Sequence, residues 1–131
     1  MIVAVDASAL VAIGLDEPER ANFVRILEEA ERAFAAPINI VEAGLVIVLR
    51  QRLMGLEDFG RWLQRLGIAE QPVPGDAALN AYLLFGRGVH RANLNLGDCF
   101  AYALAKQLDA PLLFKGNAFS VTDIKPAFQP M

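Results

Sequence analysis

NLGDCFAYALAKQLDAPLLFKGN, residues 95–117, is the stretch whose reading decides the fold. Ala101, Tyr102, Leu104 and Ala105 crowd its first half, so Leu96 to Leu108 reads as a heavily buried helix with Asn95 as its N-cap. Pro111 to Phe114 then reads as a short apolar strand, and Gly116-Asn117 as the turn that follows it. A buried helix feeding a short, wholly apolar strand belongs in a parallel sheet covered by helices on both faces.

Moving outward, the pattern repeats. Upstream lie a loop from Gly86 to Asn95 and a helix from Asp76 to Phe85. Ile68 to Val73 is a plausible third strand despite Pro72. Leu56 to Leu66 is an amphipathic helix with Phe59, Leu63 and Leu66 inward and Gly67 as its cap. Ile38 to Leu53 is apolar around most of its circumference, which predicts a deeply packed helix. Ala33 to Ala36 forms a strand that Pro37 ends. Asp16-Glu17-Pro18 carries a helix-start signature ahead of Phe23, Ile26, Leu27 and Ala30. Ile2 to Val5 reads as the first strand and Ala7 to Ile13 as a short helix. Thr122 to Lys125 reads as a last short strand. No linker, repeat or low-complexity tract interrupts residues 1–131, which read as one α/β domain.

Composition narrows the class. The 131 residues are 55% hydrophobic, high for a small soluble monomer, so some apolar surface is expected to meet a partner. One cysteine, Cys99, excludes an intrachain disulfide and fits a reducing cytoplasm. No signal-peptide pattern opens the chain, and no apolar run approaches the roughly 20 residues of a membrane span. The net charge of −3 argues against a nucleic-acid coat protein but leaves a nuclease open.

Asp6, Glu42 and Asp98 interrupt the apolar pattern, each near the start of a predicted helix. Two readings follow. All three are caps or first-turn acids favoured by the helix dipole, with Ser8 doing similar local work beside Asp6. Alternatively they converge around a cation, because buried charges are costly unless paired or bound to metal. Oxygen donors without His or Cys among them favour Mg²⁺ or Mn²⁺ over zinc. Asp6 falls at the carboxyl end of a strand, where open parallel sheets form their sites, and Gly116 and Asn117 follow another strand in the same way. Ala43 and Gly44 beside Glu42 leave room for a close approach. Cys99 reads as core, since no histidine pairs recognisably with it. His90, the only histidine, reads as solvated or RNA-facing. Arg87, His90 and Arg91 form a basic loop, and Arg50 and Arg52 end the Glu42 helix. Either group alone reads as solvated surface; beside an acidic site they could hold a phosphodiester backbone.

Val5-Asp6-Ala7-Ser8, Ile40-Val41-Glu42-Ala43, Asn95-Leu96-Gly97-Asp98 and Phe114-Lys115-Gly116-Asn117, in this order, resemble the PIN-domain ribonucleases. Within them the chain resembles the VapC toxins of bacterial toxin–antitoxin pairs, over essentially its whole length. The resemblance implies a three-layer α/β/α sandwich with a short-stranded parallel sheet, usually dimeric. It implies Mg²⁺- or Mn²⁺-dependent endoribonuclease activity, commonly on structured RNA such as tRNA, and a VapB-like antitoxin that blocks the acidic groove. Asp6 and Asp98 resemble the principal metal ligands and Glu42 the third acid, with Ser8, Asn95 and Asn117 in support. Asp123 resembles a residue that helps shape the site. One departure stands out: close relatives often carry an acid where this chain has Ala118. It keeps open a catalytically weakened domain that mainly binds antitoxin or RNA. A phospho-receiver domain would need an aspartate at the end of the third strand, where Gln71-Pro72-Val73-Pro74 stands. A haloacid-dehalogenase-type phosphatase would need one at Ser8.

Overall fold

Alternation along four short strands sorts the chain into layers. The computed structural model describes residues 1–129. Strands β1 (Ile2–Val5), β2 (Arg32–Ala35), β3 (Ile68–Glu70) and β4 (Leu112–Leu113) form one parallel sheet, ordered β3-β2-β1-β4. Val3, Val5, Ala33, Ala35 and Leu113 face one apolar cluster; Ala4, Phe34 and Leu112 face the other. The first face is covered by α1 (Ala7–Gly14), α2 (Arg20–Glu29), α3 (Pro37–Gly44) and α4 (Leu56–Arg65). The second is covered by α5 (Gly75–Phe85) and α6 (Leu96–Leu108). This is the expected three-layer α/β/α sandwich. Val3 and Val5 are wholly buried, each worth about 1.5–3 kcal/mol on burial.

The crossovers run from β1 to β2 to β3, then return past β1 to β4. That reversal lets the connections leaving β1 and β4 diverge, and a crevice opens at the strands' carboxyl ends. Asp6 stands directly after β1 and Lys115 shortly after β4.

Four expectations need correction. The Ile38–Leu53 stretch is not deeply packed: Asn39, Ala43 and Ile47 are buried, while Val41, Leu45 and Leu49 are 57%, 42% and 63% exposed. A helix lying on a sheet buries one stripe, here every fourth residue. Beyond Gly44 it continues as a π-helical segment, Leu45–Arg50, in which Gln51 N–H donates to Val46 O at 2.8 Å. Helix α2 begins at Arg20 rather than near Pro18: Asp16 takes a left-handed φ of 54°, and the Arg20 N–H donates to Glu17 O at 2.9 Å in a separate turn ahead of the helix. Strand β3 stops at Glu70, ahead of Pro72, which has no N–H for the ladder. No strand forms at Thr122–Lys125. The chain makes one parallel bridge to Leu112, centred on Pro126, with Leu112 N–H donating to Lys125 O and Ala127 N–H to Leu112 O. Among the described residues no helix is long and apolar enough to cross a membrane.

Candidate active site

Asp6 leaves β1 as the N-cap of α1 and is 5% exposed. Its backbone N–H donates to Leu113 O at 2.9 Å, which fixes it against β4. Its Oδ2 accepts from the Ser8 N–H at 3.1 Å and from the Ser8 hydroxyl at 2.5 Å. Ser8 Oγ in turn accepts from the Lys115 N–H at 3.0 Å, so the residues after β1 and β4 are locked together. Burial pushes the Asp6 pKa from its ordinary 3.8 up to about 6. The Ser8 bonds oppose that rise, and the charges of Asp98 and Glu42 add to it.

Asp98 comes from the first turn of α6. Its N–H donates to Asn95 Oδ1 at 2.8 Å, and its Oδ2 accepts from the Asn95 N–H at 3.1 Å, a complete capping box. Burial raises its pKa, against the Asn95 N–H bond and the charge of Arg87. Asp6 and Asp98 are therefore both caps and cleft residues; the two readings are not alternatives.

Glu42 sits beyond the first turn of α3, so the helix dipole is not what places it. Two residues hold it. Asn39, fully buried, donates from Nδ2 to Glu42 Oε1 at 3.0 Å and to Gly97 O at 3.0 Å. Both partners are acceptors, so the amide must point its NH₂ toward them. Asn39 Oδ1 is left buried without a hydrogen-bond partner among the described residues. Gly97 is the floor under the Glu42 carboxylate: a Cβ there would collide with both carboxylate oxygens. Burial raises the Glu42 pKa, Asn39 opposes the rise, and Asp98 adds to it.

The three acids line one cleft of about 730 Å³, together with Ser8, Asn95 and Arg50. Glu17 and Lys115 also line it and form an ion pair at 3.3 Å. The remaining basic residues stand apart. Arg52, Arg87, His90 and Arg91 do not line the cleft, although the charge of Arg87 is felt at Asp98. His90 Nδ1 accepts from the Ala92 N–H at 3.0 Å and its ring meets Phe85 edge-on, so it is a half-buried part of its own loop rather than solvated. Asn117 lines a neighbouring cavity instead. Asp123 accepts from Tyr102 Oη at 2.6 Å and Lys106 Nζ at 2.7 Å, away from the cleft. Ala118 packs partly buried on the second apolar cluster. Cys99 is buried, with its thiol pushed up to about 11 by that burial and by Asp98, which suits a core residue.

Sequence reading missed Glu17 and Lys115 as parts of this cleft, and Asn39 and Gly97 as the buried supports of Glu42. Asn39 had a signal: a lone polar residue one helical turn before Glu42, on the stripe that packs inward. Lys115 had another, a charge shortly after a strand. The tie between Asn39 and Gly97 spans 58 positions and has no local signature.

The donor set suits a hard divalent cation. It offers three carboxylates facing one cleft, each made a less favourable anion by burial, a cost that a positive charge among them would offset. No three acids among the described residues are already drawn closely enough to enclose an ion.

The sequence matches the PIN domain over residues 3–125. It is 40% identical over 129 residues to VapC ribonuclease Mb0640 of Mycobacterium bovis, covering 96% of this chain and 98% of that one. It is 42% identical over 123 residues to ribonuclease VapC of Mycolicibacterium smegmatis, covering 92% and 95%. In structure it is similar to Mycobacterium tuberculosis VapC20, described as a sarcin-ricin loop cleaving toxin, with a TM-score of 0.75 at 13% identity over 93% of this chain and 95% of that one.

Proposed function

This chain belongs to the PIN-domain family and, within it, to the VapC ribonucleases, and from that premise we propose that it is the endoribonuclease toxin of a type II toxin–antitoxin pair. The observation that carries the reading is the convergence of Asp6, Glu42 and Asp98 in one cleft, with all three acids raised in pKa by burial. The reaction is hydrolysis of an RNA phosphodiester. Water oxygen bonds to phosphorus, the P–O bond to one ribose breaks, and a proton ends on the leaving oxygen.

Asp6, Asp98 and Glu42 are the residues that would hold Mg²⁺ or Mn²⁺. Such an ion supplies Lewis acidity, lowering the pKa of water and neutralising phosphoryl charge. Ser8 orients Asp6, Asn95 orients Asp98, and Asn39 with Gly97 seats Glu42. Arg50 at the cleft wall offers a guanidinium to a phosphate. The exposed apolar groove between Val41, Leu45, Leu49 and Leu56 is a surface for a VapB-like antitoxin. Leu79, Leu83 and Leu84, exposed on α5, support a homodimer.

The test is cleavage of a structured RNA such as tRNA with added Mg²⁺ or Mn²⁺. Asp98→Asn is expected to abolish cleavage while the folded state survives, because an asparagine still fills the capping box. Unchanged cleavage by that variant, or full wild-type activity in excess EDTA, would remove the basis of the proposal.

A further inference from the structure

Asn117 does not join the acids, and where it goes is informative. It lines a second cavity of about 450 Å³ that shares Lys115 and Gly116 with the acidic cleft. The two spaces are therefore neighbours across one turn of chain. Gly116 makes that turn with a left-handed φ of 98°. Lys115 sits on the divide, paired with Glu17 of the acidic cleft at 3.3 Å and with Glu19 of the second cavity at 3.4 Å.

The second cavity has a different chemistry. Phe23, Phe114, Phe119 and Phe128 supply its walls, half of the eight phenylalanines in the chain. Phe23 and Phe119 are buried, their rings braced by Phe128 at 5.7 Å and Phe114 at 4.9 Å between centroids. Phe114 and Phe128 are half-buried, so each keeps ring surface open. Polar groups stand among these rings in small number. Asn117 carries an amide donor and an acceptor. Glu19 lines the cavity with its side chain 31% exposed, its Oε1 turned inward to the Lys115 ammonium at 3.4 Å. A pocket with flat apolar walls, an amide and a partly exposed carboxylate matches a planar heterocycle bearing N–H groups.

We propose that this aromatic cavity is a nucleobase subsite, which takes one unpaired base of the RNA whose backbone lies in the acidic cleft. The proposal rests on the ribonuclease reading for its substrate and adds where a base is held. The base stacks on Phe128 or Phe114, as single-stranded nucleic acids stack on exposed aromatics. The exposed part of the Glu19 carboxylate accepts from a base N–H, and Asn117 meets another edge atom. The same base cannot be paired in a duplex, so the subsite selects a loop or bulge.

The probe is guanosine 5′-monophosphate, whose adjacent N1–H and N2–H groups suit a carboxylate and which has no phosphodiester to cleave. Ribose 5-phosphate is the base-free control. Binding is followed by the backbone amide signals of Asn117, Phe119, Ser120 and Phe128 in NMR titrations. The nucleotide is expected to shift them and the sugar phosphate is not. Phe128→Leu keeps apolar volume and removes the stacking face, and should weaken nucleotide binding roughly fivefold or more, with Tm measured alongside to confirm folding. Glu19→Gln should weaken it as well. Equal shifts from ribose 5-phosphate, no shift in these four residues, or unchanged affinity in a folded Phe128→Leu protein would each overturn the subsite. RNA cleavage in the same preparations separates the two ideas. Cleavage lost in Asp98→Asn but indifferent to Phe128→Leu leaves the nuclease standing without the subsite. Nucleotide binding without any cleavage leaves the subsite standing without the nuclease.

Discussion

Replacing Asp6 by asparagine should make the protein more stable and less active at once. Asp6 is almost fully buried and burial raises its pKa from 3.8 to about 6. At ~1.36 kcal/mol per pH unit, that rise corresponds to about 3 kcal/mol by which the ionised carboxylate burdens the folded state. The sign follows from the direction. A folded-state pKa above the unfolded one means that the native protein binds more protons between pH 3.8 and about 6. The associated stability is fully present below the lower value and is lost as pH rises through the upper one. Asparagine keeps an oxygen to accept from Ser8 and is as good an N-cap as aspartate, so the substitution removes the charge and little else. In EDTA, urea unfolding at pH 8 should show Asp6→Asn more stable than wild type by up to about 3 kcal/mol, with the gap mostly closed at pH 4. Adding Mg²⁺ should then stabilise wild type and leave Asp6→Asn unmoved, since only binding to the native state shifts the equilibrium. A variant that is no more stable at pH 8, or a gap that ignores pH, would refute the idea that this carboxylate is held ionised at a cost.

Asn39→Ala removes both buried bonds and should cost about 2 kcal/mol in urea melts; cleavage kinetics should show kcat falling at least tenfold with KM little changed, since Glu42 is then unplaced. Gly97→Ala drives a methyl into the Glu42 carboxylate; it should reduce cleavage tenfold or more while destabilising by about 1–3 kcal/mol, read by activity and thermal melts together. Asp123→Asn loses an exposed ion pair with Lys106; it should change stability by less than about 1 kcal/mol and leave RNA cleavage at the wild-type rate.

Much of the fold was legible because it rests on local rules. Helix α6 was readable to its ends, since Asn95 caps it and the Pro111 strand signal stops it. Strand β1 was readable because four apolar residues end abruptly at an acid. Misreadings came where distant parts intervene. Lys115, from the far end of the chain, pairs with Glu17 and Glu19 where α2 was expected to start. The neighbouring layers left the outer side of α3 uncovered, a matter that hydrophobic content alone cannot decide. The chain meets Leu112 only at Pro126, past the stretch expected to form a strand.

By itself the sequence determined which acids break the apolar pattern, that they are hard oxygen donors, and that a parallel α/β sandwich would carry them, because periodicity and capping act over a few residues. Only the tertiary structure decided that Asp6, Glu42 and Asp98 share a cleft, that Asn39 and Gly97 seat Glu42, and that Asn117 turns away into an aromatic cavity. Those facts depend on the strand order, which reverses at β1 and brings residues more than a hundred positions apart within one hydrogen bond of each other, as Ser8 and Lys115 are. No local pattern encodes which strand lies beside β1, so the chemistry of the crevice exists only once the layers have closed around it.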